Sequence, residues 1–461
     1  WNSSSHRLHH ARAADVAALL TGLELDNHPP LSFLILGGVR DLFGEGALLL
    51  RAPTVLAGLG ATALAALAAR RIAGGRGMLA AAVVAAGSGL ALQTQSEARM
   101  YGLLALAVAG LLEATSARAV GSNLRLPWRA AVWVAIGLLS HYWFLYHLLL
   151  GALGLGLGLA CCGRQGRARL HLAWSDLWPL LAGAAIAVPW YATGFLEQLT
   201  AHDLAPGGTS PDLGRLAWSY VTLLFFQLGS LPRPLGLTLV AVAAMLLAVA
   251  LWGLLRELRG PSAGRRLFAA LVLLTTFGLG PLGYLLSHAF ERAGFNWTYL
   301  AGAVPALAVA VGIGLASLPA RWSSLAIPAT AAALAAGSLP LAAGPGTEDL
   351  RGAVALVVRS ATPADGVLAV EWQPGFFPHG QAWRYYTRDL DADALPRAYT
   401  HDEHYLLNET PDDLPPVLWV VRRGLPLDAP LLVDLGRRYT ARTSHDFGWG
   451  VSVERFAERE R

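Results

Sequence analysis

The chain has 461 residues, 54% of them hydrophobic and only 14% charged, against roughly 25% charged in an ordinary soluble domain. Its mean hydropathy is +0.46 and its formal net charge +4. That balance excludes a single soluble globule. A nucleic-acid partner is excluded by the basic residues: all 35 are arginine, and most sit in short stretches between apolar runs.

In chain order, the sequence starts at Trp1 with no signal peptide or apolar span ahead of its first polar stretch, as a fragment or processed start would. Residues 1–46 read as a loop outside the membrane. Within it, 29–43 is apolar but carries Arg40 and Asp41, the pattern of a helix lying in the interface. From Ala47 to Ala343 the apolar runs approach the roughly 20 residues that cross a bilayer as a helix. They fall at 47–70, 78–95, 100–117, 128–145, 146–162, 176–196, 233–255, 266–287, 299–318 and 323–343, about ten spans. A polar break at His141–His147 parts two of them. Residues 213–230 mix Arg215, Trp218, Tyr220 and Gln227 with apolar positions, a second interfacial pattern. Beyond Gly344 the composition becomes that of a soluble domain. Helical stretches at 347–360, 377–388 and 427–437 alternate there with β-like runs at 366–371, 416–421 and 450–456. The predicted fold is a polytopic α-helical membrane protein, with its membrane body at 47–343 and a small α/β domain at 344–461.

Arginine bias in short loops sets the direction of insertion. One set of alternate loops holds fourteen arginines, from Arg70, Arg71 and Arg76 through Arg118, Arg125 and Arg129 to Arg321, while the opposite set holds few besides Arg99 and Arg292. The richer set is assigned to the cytoplasm. The segment before Ala47, the Gln93–Tyr101 turn, the His141 region, the 197–232 loop and the C-terminal domain are then expected outside it. The Ala-, Gly-, Leu- and Arg-rich composition fits a GC-rich bacterial genome and an inner (plasma) membrane. The run Gly151–Gly158 has small residues at a spacing that lets membrane helices approach closely. No strand precedes it, so it is not a dinucleotide loop.

Ionisable groups at membrane depth are costly unless paired or hydrated, so each marks a candidate site. Four groups collect on the outer side. They are Asp26-Asn27-His28-Pro29-Pro30, then Gln95-Ser96-Glu97-Ala98-Arg99-Met100-Tyr101, then Ser140-His141-Tyr142 with His147, and last Glu291-Arg292 to Tyr299. Each also has a plain structural reading: a helix-end ion pair for Glu97 and Arg99, a rigid turn for His28, a satisfied helix break for His141, belt aromatics for Tyr142 and Trp143. The clusters His6, His9, His10 and His401, His404 have metal-like spacing but no converging third ligand, and the adjacent Cys161 and Cys162 make neither a zinc site nor a structural bridge. No metal site is predicted.

The string Asp26 to Phe33, with Leu42-Phe43-Gly44 and Leu50-Arg51-Ala52-Pro53, resembles the C-type membrane glycosyltransferases. Within them it is most similar to the bacterial relatives of the protein O-mannosyltransferases and to the lipid A aminoarabinose transferases. Ser96–Tyr101 resembles the second outer loop of that family and Ser140-His141-Tyr142 its later helix break. Leu181 to Trp190, Tyr299-Leu300 with Pro305, and Glu348–Gly352 are also similar, in the same order along the chain. The resemblance implies a transferase that moves a sugar, with inversion, from a polyprenyl-phosphate carrier to a lipid, glycan or protein acceptor at the outer face. It implies Glu97 as the catalytic carboxylate, with Asp26 second. Arg99 and His28 would bind the lipid phosphate, and Tyr101, His141 and Tyr142 would orient it. The cofactor is left open. Two departures stand out. The family carries an acidic pair in its first outer loop, where this chain has Trp1 to His6 without a carboxylate. The arginine that often precedes the late Tyr-Leu is replaced by Thr298. Three readings stay open: an incomplete start, a relocated base, or a donor-binding subunit without catalysis. A transporter of lipid-linked sugar would need inverted repeats, and none is visible.

Overall fold

The computed structural model describes residues 28–44, 46–97, 99–121, 127–160, 170–195, 213–225, 231–290, 297–343, 350–371, 387, 390–391, 394–398, 415–423, 430–439, 441–447 and 451–457. The chain divides at Leu341–Ala342 into two compact units.

The first unit is helical. Helix α1 (Leu31–Phe43) occupies the stretch expected in the interface, and its end leaves Leu42 and Phe43 exposed. Helix α2 (Ala47–Gly87) has 41 residues, which as a straight rod would measure about 60 Å, twice the hydrocarbon thickness. It is not straight. At Gly74, φ is +72° and ψ −164°, a conformation that essentially only glycine adopts. The two arms turn back on each other there: a Cβ on Gly77 would stand 3.2 Å from the Ala69 carbonyl. The run 47–70 lies in the first arm, and the run 78–95 spans the second arm, which ends at Gly87, and most of the helix that follows. Ser88 then starts α3 (Gly89–Ser96), accepting the Ala91 N–H and donating to the Leu223 carbonyl.

The next helices are α4 (Tyr101–Ala119), α5 (Pro127–Ser140), α6 (Phe144–Ala160) and α7 (Leu170–Trp190), the last running into a π-turn at Tyr191–Phe195. Helix α8 (Leu213–Leu224) is amphipathic, as the interfacial reading requires, but Leu216, Leu223 and Leu224 are buried while Trp218 is exposed. Residues 226–230 of that reading lie outside the described residues. Helices α9 (Arg233–Leu258), α10 (Ala263–Phe277) and α11 (Leu279–Phe290) follow. A short 3-10 turn (Trp297–Gly302) then leads into α12 (Ala303–Ala316), and α13 (Ala320–Ala343) closes the unit.

At its centre is α12, where every residue from Ala303 to Leu315 is buried. Small side chains make that possible. A Cβ on Gly312 would lie 2.6 Å from the Gly77 carbonyl and one on Gly314 2.4 Å from the Val249 carbonyl, so α12 touches backbone on two sides. The cost of burying charge is met at the arginine-rich end. Glu113, 1% exposed, lies 2.6 Å from Arg71 and 2.9 Å from Arg129.

Among the described residues, five helices are long and apolar enough to cross a bilayer. A sixth is obtained if α10 and α11, bent by 49° at Gly278, count as one. The run 266–287 is therefore a bent pair, and 128–145 with 146–162 are the short helices α5 and α6, broken at His141 and resuming already at Phe144. At Gly74 the chain reverses, so α2 counts once among these helices although it comprises two apolar arms.

The second unit has α14 (Leu350–Ser360), β1 (Gly366–Glu371), β2 (Arg397–Ala398), β3 (Val417–Arg423), α15 (Pro430–Arg438), β4 (Ala441–Asp446) and β5 (Val451–Ala457). The strands form one mixed sheet in the order β2-β1-β3-β5-β4, parallel between β2, β1 and β3 and antiparallel beyond. Helix α14 covers one face through Ala353, Val354 and Val357 against Val367, Trp419, Val421 and Val453. On the alternate positions of β5, Glu454 is buried between Arg422 and Arg442, each 2.8 Å away. The expected helix at 377–388 lies outside the described residues, apart from Thr387.

Candidate functional site

The break between α3 and α4 sets the first group. The Arg99 N–H closes a tight turn on the Glu97 carbonyl (2.8 Å). The Thr54 hydroxyl on α2 donates to the Arg99 carbonyl at 3.2 Å, fixing the turn to the first arm. Glu97 and Arg99 lie 3.6 Å apart with 26% and 41% of their side chains exposed. A pair this open contributes little to stability, and both side chains are partly reached by solvent.

Beside that turn, rings converge. Tyr101, the first residue of α4, is buried, and the Thr298 hydroxyl donates to its oxygen at 3.0 Å. The charged Arg99 and Glu97 side chains lie near enough to that hydroxyl to act on it electrostatically. The His141 ring lies 5.6 Å from Tyr101, 5.5 Å from His28 and 5.5 Å from Tyr299. In the non-helical step between α5 and α6, the Trp143 N–H donates to His141 Nδ1 at 3.1 Å. A neutral imidazole that accepts at Nδ1 carries its proton on Nε2. That Nε2 is buried and has no hydrogen-bond partner among the described residues.

Two further buried polar groups lie on the helices that lead into and out of this centre. His147, on the first turn of α6, has no described partner for either ring nitrogen. Its Nε2 occupies the room left by Gly302, where a Cβ would stand 2.3 Å away. Gln93 Oε1, on α3, is likewise buried without a described partner. A buried polar atom left unpaired costs about 1–3 kcal/mol, so three imidazole nitrogens and one amide oxygen without a partner among the described residues make this a candidate ligand site.

Of the residues singled out in the sequence, His28, Glu97, Arg99, Tyr101 and His141 are brought to one place. Tyr142 turns to a neighbouring aromatic group: its oxygen accepts from Trp190 Nε1 at 3.1 Å, and its ring stands 5.6 Å from Tyr191 and 4.8 Å from Phe195. Asp26, His6, His9, His10, His401, His404 and the stretch Glu291–Asn296 lie outside the described residues. Among those described, no group of three or more His, Cys, Asp or Glu is placed to hold a metal ion. Sequence reasoning missed the Thr298–Tyr101 bond and the Trp143–Tyr299 contact, with ring centres 4.7 Å apart. Only the position of Thr298 and Tyr299 beside an apolar run pointed there. It also missed the Glu113 pair of arginines, since one glutamate inside a long apolar run has no neighbour in sequence to announce it.

No family model and no curated protein matches the chain. Among solved structures it is similar to the crystal structure of ArnT from Cupriavidus metallidurans in the apo state. That match has 13% identity, covers 93% of this chain and 87% of the other, and has a TM-score of 0.37. It is also similar to the same protein bound to undecaprenyl phosphate, at 14% identity, the same coverage and a TM-score of 0.35.

Proposed function

We propose that this chain is a membrane glycosyltransferase that takes a sugar from a polyprenyl-phosphate carrier and passes it to a hydroxyl acceptor outside the cytoplasm. The observation that carries the reading is the convergence just described: one accessible carboxylate, one accessible guanidinium and a buried His–Tyr group with an unpaired N–H. A phosphate-leaving displacement needs those three kinds of group.

In the step proposed, the acceptor hydroxyl attacks the anomeric carbon from the face opposite the phosphate. A new carbon–oxygen bond forms, the bond from that carbon to the phosphate oxygen breaks, and the configuration inverts. Glu97 accepts the hydroxyl proton. The electron pair leaves on the lipid phosphate, whose developing charge is met by Arg99 and His28, with the His141 Nε2–H as a further donor. Tyr101, held by Thr298, orients the phosphate, and Tyr142 borders the same region. Asp26 is the second candidate for the base. The motif resemblance to the aminoarabinose transferases, carried by Asp26–Phe33, Ser96–Tyr101 and Ser140–Tyr142 in the same order, supports the donor class.

The test is release of polyprenyl phosphate by the purified chain from a panel of polyprenyl-phosphate sugars. Glu97→Gln and Arg99→Ala are each expected to slow it at least about 100-fold. Unchanged release in both variants overturns this site. Thr298, standing where the resembled family often has an arginine before the late Tyr-Leu, favours a second reading, a subunit that binds the donor without turnover. Tight donor binding with no release from any donor would select it.

A further inference from the structure

At the arginine-rich end of the helical unit, two tryptophan–arginine pairs face outward at the meeting of α9, α12 and α13. Trp252 and Arg256 stand one turn apart near the end of α9, with the guanidinium 6.0 Å from the indole centre. Arg321 and Trp322 open α13, with a separation of 5.6 Å. Both indoles are exposed, Trp252 at 45% and Trp322 at 55%.

Their placement is rigid. Helices α9 and α12 cross at Gly253 and Gly314 with backbones in contact, since a Cβ on Gly253 would stand 2.6 Å from the Gly314 Cα. One turn on, Arg256 donates to the Ser317 carbonyl at 3.3 Å. The chain turns at once into α13, where the N–H groups of Trp322 and Ser323 donate to the Pro319 carbonyl.

The carboxylates at this end are already engaged. Glu257, next to Arg256 in sequence, is held by Arg265 through both oxygens, at 3.0 and 2.8 Å. Glu113 is held by Arg71 and Arg129. No described carboxylate lies within ion-pair distance of Arg256 or Arg321. Two outward cations therefore lack a counter-charge among the described residues, each stacked on an indole of the kind that settles at headgroup level. A guanidinium lying on a ring keeps its N–H edge available, and that edge matches a phosphate diester.

We propose that Trp252, Arg256, Arg321 and Trp322 form a binding site for the headgroup of an anionic membrane phospholipid, separate from the sugar-transfer site. Native mass spectrometry of the full chain, with phosphatidylglycerol or phosphatidylcholine added, tests it. The parent protein is expected to retain phosphatidylglycerol preferentially. The double variant Arg256→Ala/Arg321→Ala should lose affinity by about fivefold for each arginine. Arg321→Ala alone, which gives up no described bond to another helix, should lose one such factor, so the site is testable even if the double variant does not fold. Arg233→Ala, at the other end of α9, should change nothing. The proposal fails if the parent shows no preference for phosphatidylglycerol, or if Arg321→Ala binds it as the parent does. It fails equally if undecaprenyl phosphate displaces the bound phosphatidylglycerol one for one, which would give the site to the carrier lipid.

Discussion

Glu113 survives inside an apolar bundle because each of its oxygens has an arginine. Glu113→Gln would remove the charge and leave Arg71 and Arg129, partly buried, facing a neutral amide. Breaking a buried ion pair from one side costs about 3–5 kcal/mol, and the partial exposure of both arginines puts this case at or below the lower end. The expected result is a clear fall in thermal midpoint in detergent, with donor binding per folded molecule unchanged. At the other end, Thr298→Val keeps the shape but removes the donor to the buried Tyr101 oxygen. A loss of about 1–3 kcal/mol is expected, visible as a lower thermal midpoint, while Thr298→Ser stays close to the parent. Chemistry-bearing residues were legible in sequence where they cluster: Glu97, Arg99 and Tyr101 fall within five positions, and His141 lies next to Tyr142. What sequence hid were single polar residues whose partners are far along the chain, such as Thr298 for Tyr101 and Arg71 for Glu113. Their meaning exists only after the helices pack.

At the scale of elements, periodicity and composition located most helices but not how they bend. The strand at 366–371 and the helix at 31–43 lie where apolar patterning puts them. The two arms of α2 were legible as separate apolar runs, and the φ of +72° at Gly74 tells how they join. Strand β4, Ala441–Asp446, was missed because it is polar and exposed along an edge, where charged side chains take the place of apolar alternation. The break in the Tyr299 run was missed because the 3-10 turn Trp297–Gly302 carries no composition cue. The Gly253–Gly314 crossing gives the element-scale prediction. Gly314→Leu must displace Val249, whose carbonyl already stands 2.4 Å from where a Cβ would be. Overpacking of this kind costs about 1–3 kcal/mol or more, so α9 and α12 should separate. A disulfide between cysteines placed at neighbouring positions of the two helices should form in the parent background and not in Gly314→Leu.

At the scale of the whole molecule, the arginine bias makes a prediction about direction. With Cys161 and Cys162 replaced by serine, a single cysteine at Ser96 should react with an impermeant maleimide added outside intact cells. The native pair, which lies in an arginine-rich stretch, should react only after the membrane is opened. Labelling in the reverse sense would remove the basis for placing sugar transfer outside the cytoplasm.

Helix α12 carries a consequence of another kind. Its buried stretch, Ala303–Leu315, is made well after the arms of α2, Ala47–Gly87, which nevertheless close around it. Early hairpins must therefore wait in the bilayer with their small-residue seams unfilled until this late segment is threaded between them. Nascent chains halted before residue 303 should be inserted but loosely associated, and so natural clients of membrane chaperones and quality-control proteases.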